Sequence, residues 1–227
     1  MIINLRGCHG SGKTTAVRTL MEGRAVETIE GSKRRPEAYL LPEWNLAILG
    51  DYSGTKTATG ADSLKDIRGL EALVRRYARR HHVFLEGAHI SGMYGRWLRL
   101  SQEAGTGQFL WLFLDTPYEV CLARVQQRPG SKPVKLYIFD DWFERCQKYA
   151  RLLPSEGQMV EMLNWENPDL AEVFDRHLRA SPALEHLSEE PFVGSFNELP
   201  KFGRTASQSF SVADSGLVLQ HSSMEEL

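Results

Sequence analysis

Gly7-Cys8-His9-Gly10-Ser11-Gly12-Lys13-Thr14 fits the pattern G-x-x-x-x-G-K-[ST] at every defined position. The apolar run Ile2-Ile3-Asn4-Leu5 before it reads as a buried strand over about 2–6. A helical pattern follows from Thr14 to about Met21. Strand, loop and helix in that order are what give the motif meaning. Glycines let backbone N–H groups turn inward around a polyphosphate, and the helix N-terminus adds the positive end of its dipole. Gly7, Cys8, His9, Gly10, Ser11, Gly12, Lys13 and Thr14 are therefore the expected nucleotide-binding residues. Lys13 is placed to reach the β- and γ-phosphates of ATP and the Thr14 hydroxyl to ligate Mg²⁺. The bland alternative is a glycine-rich turn that binds nothing.

Outward from this loop the chain alternates apolar strands with amphipathic helices. Leu46-Ala47-Ile48-Leu49 reads as a second buried strand ending at Asp51, after a possible hairpin over 39–45 with Pro42 near its turn. Val83-Phe84-Leu85 is a third, ending in Glu86; Phe109 to Leu114 a fourth, closed by Asp115-Thr116-Pro117; Gln158 to Leu163 a fifth. Between them, Asp62 is expected to cap a helix running to about Arg80, and a helix is expected from about Met93 to Glu103. Thr116 is expected to cap a helix over about 118–128, and further helices fall at 140–153 and 168–179. The alternation implies an α/β fold with a doubly wound parallel sheet of about five strands flanked by helices. That kinase-like domain covers 1–180. Beyond it, 181–227 carries scattered Ser, Pro, Gly and acidic residues without periodicity and reads as a disordered tail, with 207–212 a candidate for a short strand on binding.

The chain has 227 residues and a net charge of −2. Residues 1–153 hold 23 Lys+Arg against 16 Asp+Glu, while 154–227 hold 4 against 13. A basic core suits a polyphosphate or a nucleic acid. No apolar run is long enough to span a membrane, and the N-terminus enters the first strand without a signal-peptide pattern. The three cysteines, Cys8, Cys121 and Cys146, have neither metal-type nor C-x-x-C spacing, which suits a reducing, cytoplasmic compartment.

In open α/β sheets chemistry sits at the carboxyl ends of strands. Asp51 stands there and is the first candidate for the carboxylate that orients an acceptor hydroxyl and takes its proton late. The competing reading is a turn aspartate holding its own backbone. Glu86 is the candidate Mg²⁺-side carboxylate, and the two roles are exchangeable. Arg124 and Arg128, at i,i+4, fit a lid over the transferring phosphate as well as an ordinary helix end. Tyr52, His89, Arg96 and Arg99 complete the acceptor side, the two arginines doubling as plain surface residues. Lys33–Arg35 and Arg75–Arg80 are candidates for gripping DNA phosphates, or for solvated surface and a helix-dipole partner.

Asp51-Tyr52-Ser53-Gly54 matches a D-x-x-G nucleotide-sensing loop, yet no [NT]-K-x-D follows, and the L-S-G-G-Q of transport ATPases is absent. A small-molecule or nucleic-acid kinase fits better than a nucleotide switch. Ile3-Asn4-Leu5-Arg6-Gly7 with its loop, Leu49-Gly50-Asp51-Tyr52, Phe84-Leu85-Glu86-Gly87 with His89-Ile90-Ser91, and Phe113-Leu114-Asp115-Thr116-Pro117 with Cys121-Leu122 together resemble phage kinases of the thymidylate-kinase family, in particular the 5-hydroxymethyluracil DNA kinase subfamily. The resemblance covers roughly 1–180. It implies ATP-dependent phosphorylation of the hydroxymethyl group of 5-hydroxymethyl-2′-deoxyuridine in viral DNA, a step towards hypermodified thymines, in the host cytoplasm. The loop Gly7–Thr14 carries over as ATP-binding. Alternatives are a kinase of free (deoxy)nucleosides or nucleoside monophosphates and a non-kinase NTPase switch. A base inside a duplex is reached either through the major groove, on whose edge the C5 hydroxymethyl group lies, or by flipping out.

Overall fold

The computed structural model describes residues 1–31, 35–54, 59–64, 67–128, 133–179, 181–188 and 190. Its centre is one seven-stranded sheet in the order β2-β3-β4-β5-β1-β6-β7. The strands are β1 (Ile2–Arg6), β2 (Glu27–Glu30), β3 (Pro36–Leu41), β4 (Leu46–Leu49), β5 (His82–Glu86), β6 (Phe109–Asp115) and β7 (Met159–Asn164). All strand pairs from β4 to β7 are parallel. These are the strands expected from their continuous apolar runs, because a strand covered on both faces needs no alternation.

The two additional strands are an antiparallel edge. β3 returns into β4 through a 3-10 turn, Pro42–Trp44, with Asn45 in the left-handed region at φ 48°, which is the hairpin expected around Pro42. β2 is four residues long and mostly exposed. Its Glu-Thr-Ile-Glu sequence has too little apolar content to announce a strand, and only pairing to β3 makes it one.

Helices cover both faces: α1 (Lys13–Met21), α2 (Ile67–Ala78), α3 (Ala88–Gly92), α4 (Gly95–Ala104), α5 (Tyr118–Gln126), α6 (Leu136–Leu152) and α7 (Leu170–His177). Side-chain alternation along the strands sorts the core into two layers. Ile2, Val83, Leu85, Phe109, Trp111 and Phe113 pack with α2 and α4 residues. Ile3, Leu5, Phe84, Leu110, Leu112 and Leu114 pack with α1 and α7 residues. Each fully buried aliphatic or aromatic side chain contributes about 1.5–3 kcal/mol, so these strand residues hold the sheet's carboxyl edge rigid under the loop.

Several expectations are corrected. Asp62 does not cap α2. It lies in a 3-10 turn, Ala61–Ser63, and its carboxylate accepts the N–H groups of Ala88 (2.6 Å) and His89 (3.2 Å). It therefore caps α3, a separate short helix just ahead of the one expected from about Met93, which is α4. Thr116 caps nothing either: its hydroxyl donates to Ser11 O at 2.8 Å. Arg75 is buried among carboxylates, with Nη2 2.9 Å from Glu71 and Nη1 2.7 Å from Glu103, and Arg96 pairs with the other Glu71 oxygen. Breaking a buried set of this kind is costly, so both arginines tie α2 to α4 and are not available as phosphate clamps. Arg76, Arg79, Arg80 and His81 instead line a cleft beside the start of β5, at the sheet end opposite Glu86.

Past the expected domain end at 180, the chain still packs on the core. Leu184 and Leu187 are buried in the α2–α4 layer, and Leu184 N–H donates to Ala78 O at 2.9 Å. Of the expected tail, 191–227 lies outside the described residues, as do 32–34 of the basic segment and 55–58 of the Gly/Thr-rich loop.

Candidate active site

The strand order reverses at β1, which has β5 on one side and β6 on the other. That is where an open sheet leaves a crevice at its carboxyl edge. The loop from β1 to α1 fills it. Gly10 and Gly12 have φ of 82° and 104°. A Cβ at Gly10 would lie 2.3 Å from Cys121 O, so only glycine fits.

The loop's carbonyls are engaged by named donors. Lys13 Nζ donates to Gly7 O at 2.8 Å and Cys8 O at 3.0 Å. Arg124 Nη1 reaches Gly10 O and Ser11 O, each at 3.3 Å, and Thr116 holds Ser11 O as well. With its acceptors engaged, the loop forms the cradle a polyphosphate fits. The loop opens onto a cavity of about 800 Å³, within the range that takes a cofactor-sized ligand.

Thr14 Oγ1 donates to Glu86 Oε1 at 3.0 Å. Glu86 is 1% exposed, and burial pushes its carboxyl up to about 7 despite the opposing pull of Lys13 and Thr14. The Tyr52 hydroxyl is buried beside it and interacts with its carboxylate. A hard cation fits this spot, since it would keep the Glu86 carboxylate ionised and be shared with the Thr14 hydroxyl and phosphate oxygens. Backbone packs tightly over Glu86: Gly60 has φ 62°, and a Cβ there would sit 2.2 Å from Glu86 Oε1. Gly60 is held by a bridge to Asp51.

Among the residues singled out in the sequence, His9, Gly10, Ser11, Gly12, Lys13, Thr14, Glu86, His89, Arg124 and Arg128 are brought together on the cavity wall. Tyr52 is 5% exposed and lies beneath it. Asp51 is turned into its own loop: Oδ1 accepts Ser53 N–H at 2.9 Å and Ser53 Oγ–H at 2.6 Å. Asp51, Arg96 and Arg99 do not line the cavity. Cys8 is a filler, since burial raises its thiol to about 12, leaving essentially no thiolate.

Two wall residues were not read as functional. Asp62 lines the cavity close to Lys13, Glu86 and His89, with its carboxyl raised by burial. Its only sequence signal is an acid shortly after the Gly60 turn. Trp165 follows β7 directly and carries the Arg124 guanidinium over its ring at 5.1 Å. Its signal is an aromatic at a strand's carboxyl end.

A parallel sheet that reverses at a lysine-bearing glycine loop, with a buried carboxylate against the loop threonine, defines a phosphotransferase of the P-loop class. The comparisons specify it further. The family profile described as 5-hmdU DNA kinase matches residues 1–155, and the chain belongs to that family. It is 35% identical over 173 residues, 72% of this chain and 91% of the relative, to the 5-hmdU DNA kinase of Pseudomonas phage M6. It is 26% identical over 152 residues (65% of this chain, 68% of the relative) to 5-hmdU DNA kinase 1 of Salmonella phage ViI. With the 5-hmdU DNA kinase of Pseudomonas phage PaMx11 it shares 31% over 140 residues, 58% of this chain and 70% of the relative. Among the described residues no helix is long and apolar enough to cross a membrane.

Proposed function

We propose that this chain transfers the γ-phosphoryl group of ATP to the hydroxymethyl oxygen of 5-hydroxymethyl-2′-deoxyuridine in phage DNA, giving 5-phosphomethyl-2′-deoxyuridine and ADP, in the host cytoplasm. The observation that carries it is that the matched span, 1–155, contains the loop, Asp62 and Glu86 together.

The loop N–H groups and Lys13 receive the phosphates. Arg124 and Trp165, packed on each other, mark the β6–β7 side of the loop as the place for the adenine. Thr14 and Glu86 would hold Mg²⁺, whose charge would offset that of the phosphates. The acceptor then enters from the opposite side, where the segments after β4 and β5 converge. In the transfer the bond from the γ-phosphorus to the β–γ bridging oxygen breaks and one to the hydroxymethyl oxygen forms.

The hydroxyl proton goes to a carboxylate facing that position. Of the wall carboxylates, Glu86 lies against Thr14 and Glu166 follows β7, so the role first read at Asp51 passes to Asp62 on the acceptor side, and Asp51 holds the Gly60 turn over Glu86. Asp62→Asn lowers the turnover number by about 10²-fold or more with ATP affinity little changed, whereas Asp51→Asn costs less than about tenfold. Parallel kcat and ATP-binding measurements on the two variants check this, and the reverse order returns the role to Asp51.

The function itself is tested with γ-labelled ATP and 5-hydroxymethyl-deoxyuridine offered as nucleoside, nucleoside monophosphate and DNA oligomer. Label is expected in the oligomer. Label confined to the free forms would favour a nucleoside or nucleotide kinase, and hydrolysis without any labelled acceptor a nucleotide switch.

A further inference from the structure

The phosphoryl site is recessed. Lys13 is 6% and Glu86 1% exposed, at the floor of the cavity of about 800 Å³. Its acceptor side is walled by α3 and by His9 of the loop, with α6 behind them. A hydroxymethyl arm projects only about 2.5 Å beyond the pyrimidine ring. In a stacked base pair that arm lies inside a major groove about 12 Å wide and 8.5 Å deep, which admits a single helix or a two-stranded ribbon. The reacting oxygens must come within about 3–3.5 Å. For that to happen with the base still stacked, the rim of the sheet with its flanking helices, each about 10 Å thick, would have to enter the groove. It is too broad to do so.

The wall on this side is furnished with rings. His9 and His89 both line the cavity, and the half-buried Trp142 packs against both from the side of α6. Ring centroids are 5.1 Å from His9 and 6.3 Å from His89, both edge-to-face. Trp142 is seated on Gly92, where a Cβ would lie 2.6 Å from the indole Cζ3. Burial beside Lys13 and Arg128 lowers His9 to about 4, so at neutral pH its ring is uncharged. Ring faces that flank a recessed reaction centre suit a base taken out of the stack.

We propose that this kinase acts on an unstacked pyrimidine: the target nucleotide leaves the duplex, or is presented single-stranded, and its ring is received between His9 and His89, with Trp142 bracing both. This rests on the DNA kinase reading above and, of the two routes left open by the sequence, takes unstacking over access through the major groove.

The test uses the full chain and one oligonucleotide sequence carrying a single 5-hydroxymethyl-deoxyuridine next to 2-aminopurine. It is offered as a single strand, as a duplex opposite an abasic position, and as a fully paired duplex. Phosphorylation efficiency of the first two should exceed that of the paired duplex by about tenfold or more. With a non-hydrolysable ATP analogue, 2-aminopurine fluorescence in the paired duplex should rise on binding. His89→Ala should raise KM for the single strand about tenfold and leave KM for ATP unchanged. Equal efficiency on all three substrates with unchanged fluorescence overturns the inference and leaves the DNA kinase reading intact. Label that enters only a free nucleoside or monophosphate overturns both. An unchanged KM for DNA in His89→Ala overturns the place given to that ring.

Discussion

Lys13→Ala should fold and transfer no measurable phosphate. The ammonium is the loop's internal tie, donating to Gly7 O, Cys8 O and, at 3.2 Å, Ser11 Oγ. It is also the cation closest to where negative charge develops as the phosphoryl group departs. Losing an optimally placed donor in a water-poor site costs about 10²–10³ in rate, and here a full positive charge leaves as well. A drop of more than about 10³-fold is expected. The stability loss should be small, about 1–2 kcal/mol, because two carbonyls at a partly open loop lose a partner that water can replace. Single-turnover transfer with labelled ATP, alongside a thermal melt, checks both halves. Retained transfer would remove Lys13 from the chemistry, and a failure to fold would make it a scaffold residue.

Glu86→Gln should stabilise the protein and disable it. The folded-state pKa of Glu86, about 7, lies above its ordinary 4.5, so the folded chain holds this proton more tightly than the unfolded chain does. That contribution is fully present below pH 4.5 and is lost as pH rises through 7. Above that, the wild-type protein carries a buried charge that glutamine does not have. At pH 8 the variant should be more stable by about 3 kcal/mol, and the gain should fade on acidification towards the ordinary glutamate range. Mg²⁺ with ATP should restore the wild type selectively, because the cation compensates the carboxylate. Transfer by the variant should fall about 10²-fold or more. Melts over a pH series, with and without Mg²⁺ and ATP, separate these effects. A variant less stable than wild type at pH 8 would mean that Glu86 is held by its hydrogen bonds and not penalised by burial.

The site was unevenly legible. Lys13, Thr14 and Glu86 could be picked from residue order because each is fixed by a local rule: a glycine loop between strand and helix, and an acid at the end of an apolar strand. The acceptor side had no such rule. Asp62 and Asp51 are both acids near the end of β4, and which of them faces the cavity depends on the Asp51–Gly60 bridge and on the backbone N–H groups of Ala88 and His89. Arg96 looked like a phosphate ligand until the fold placed Glu71, 25 residues away, against it. Trp142 is 133 residues from His9 in the chain, so nothing in the local sequence of either could indicate a shared wall.

By itself the sequence determined the parallel core, the loop and the helix behind it, because backbone propensity and apolar periodicity act over a few residues and these elements need nothing more. The tertiary structure alone decided the β2–β3 edge, the fate of the buried arginines, and which carboxylate and which rings line the cavity. Those depend on which distant side chains share one low-dielectric space, and there a charge must find its partner or its cation across the fold.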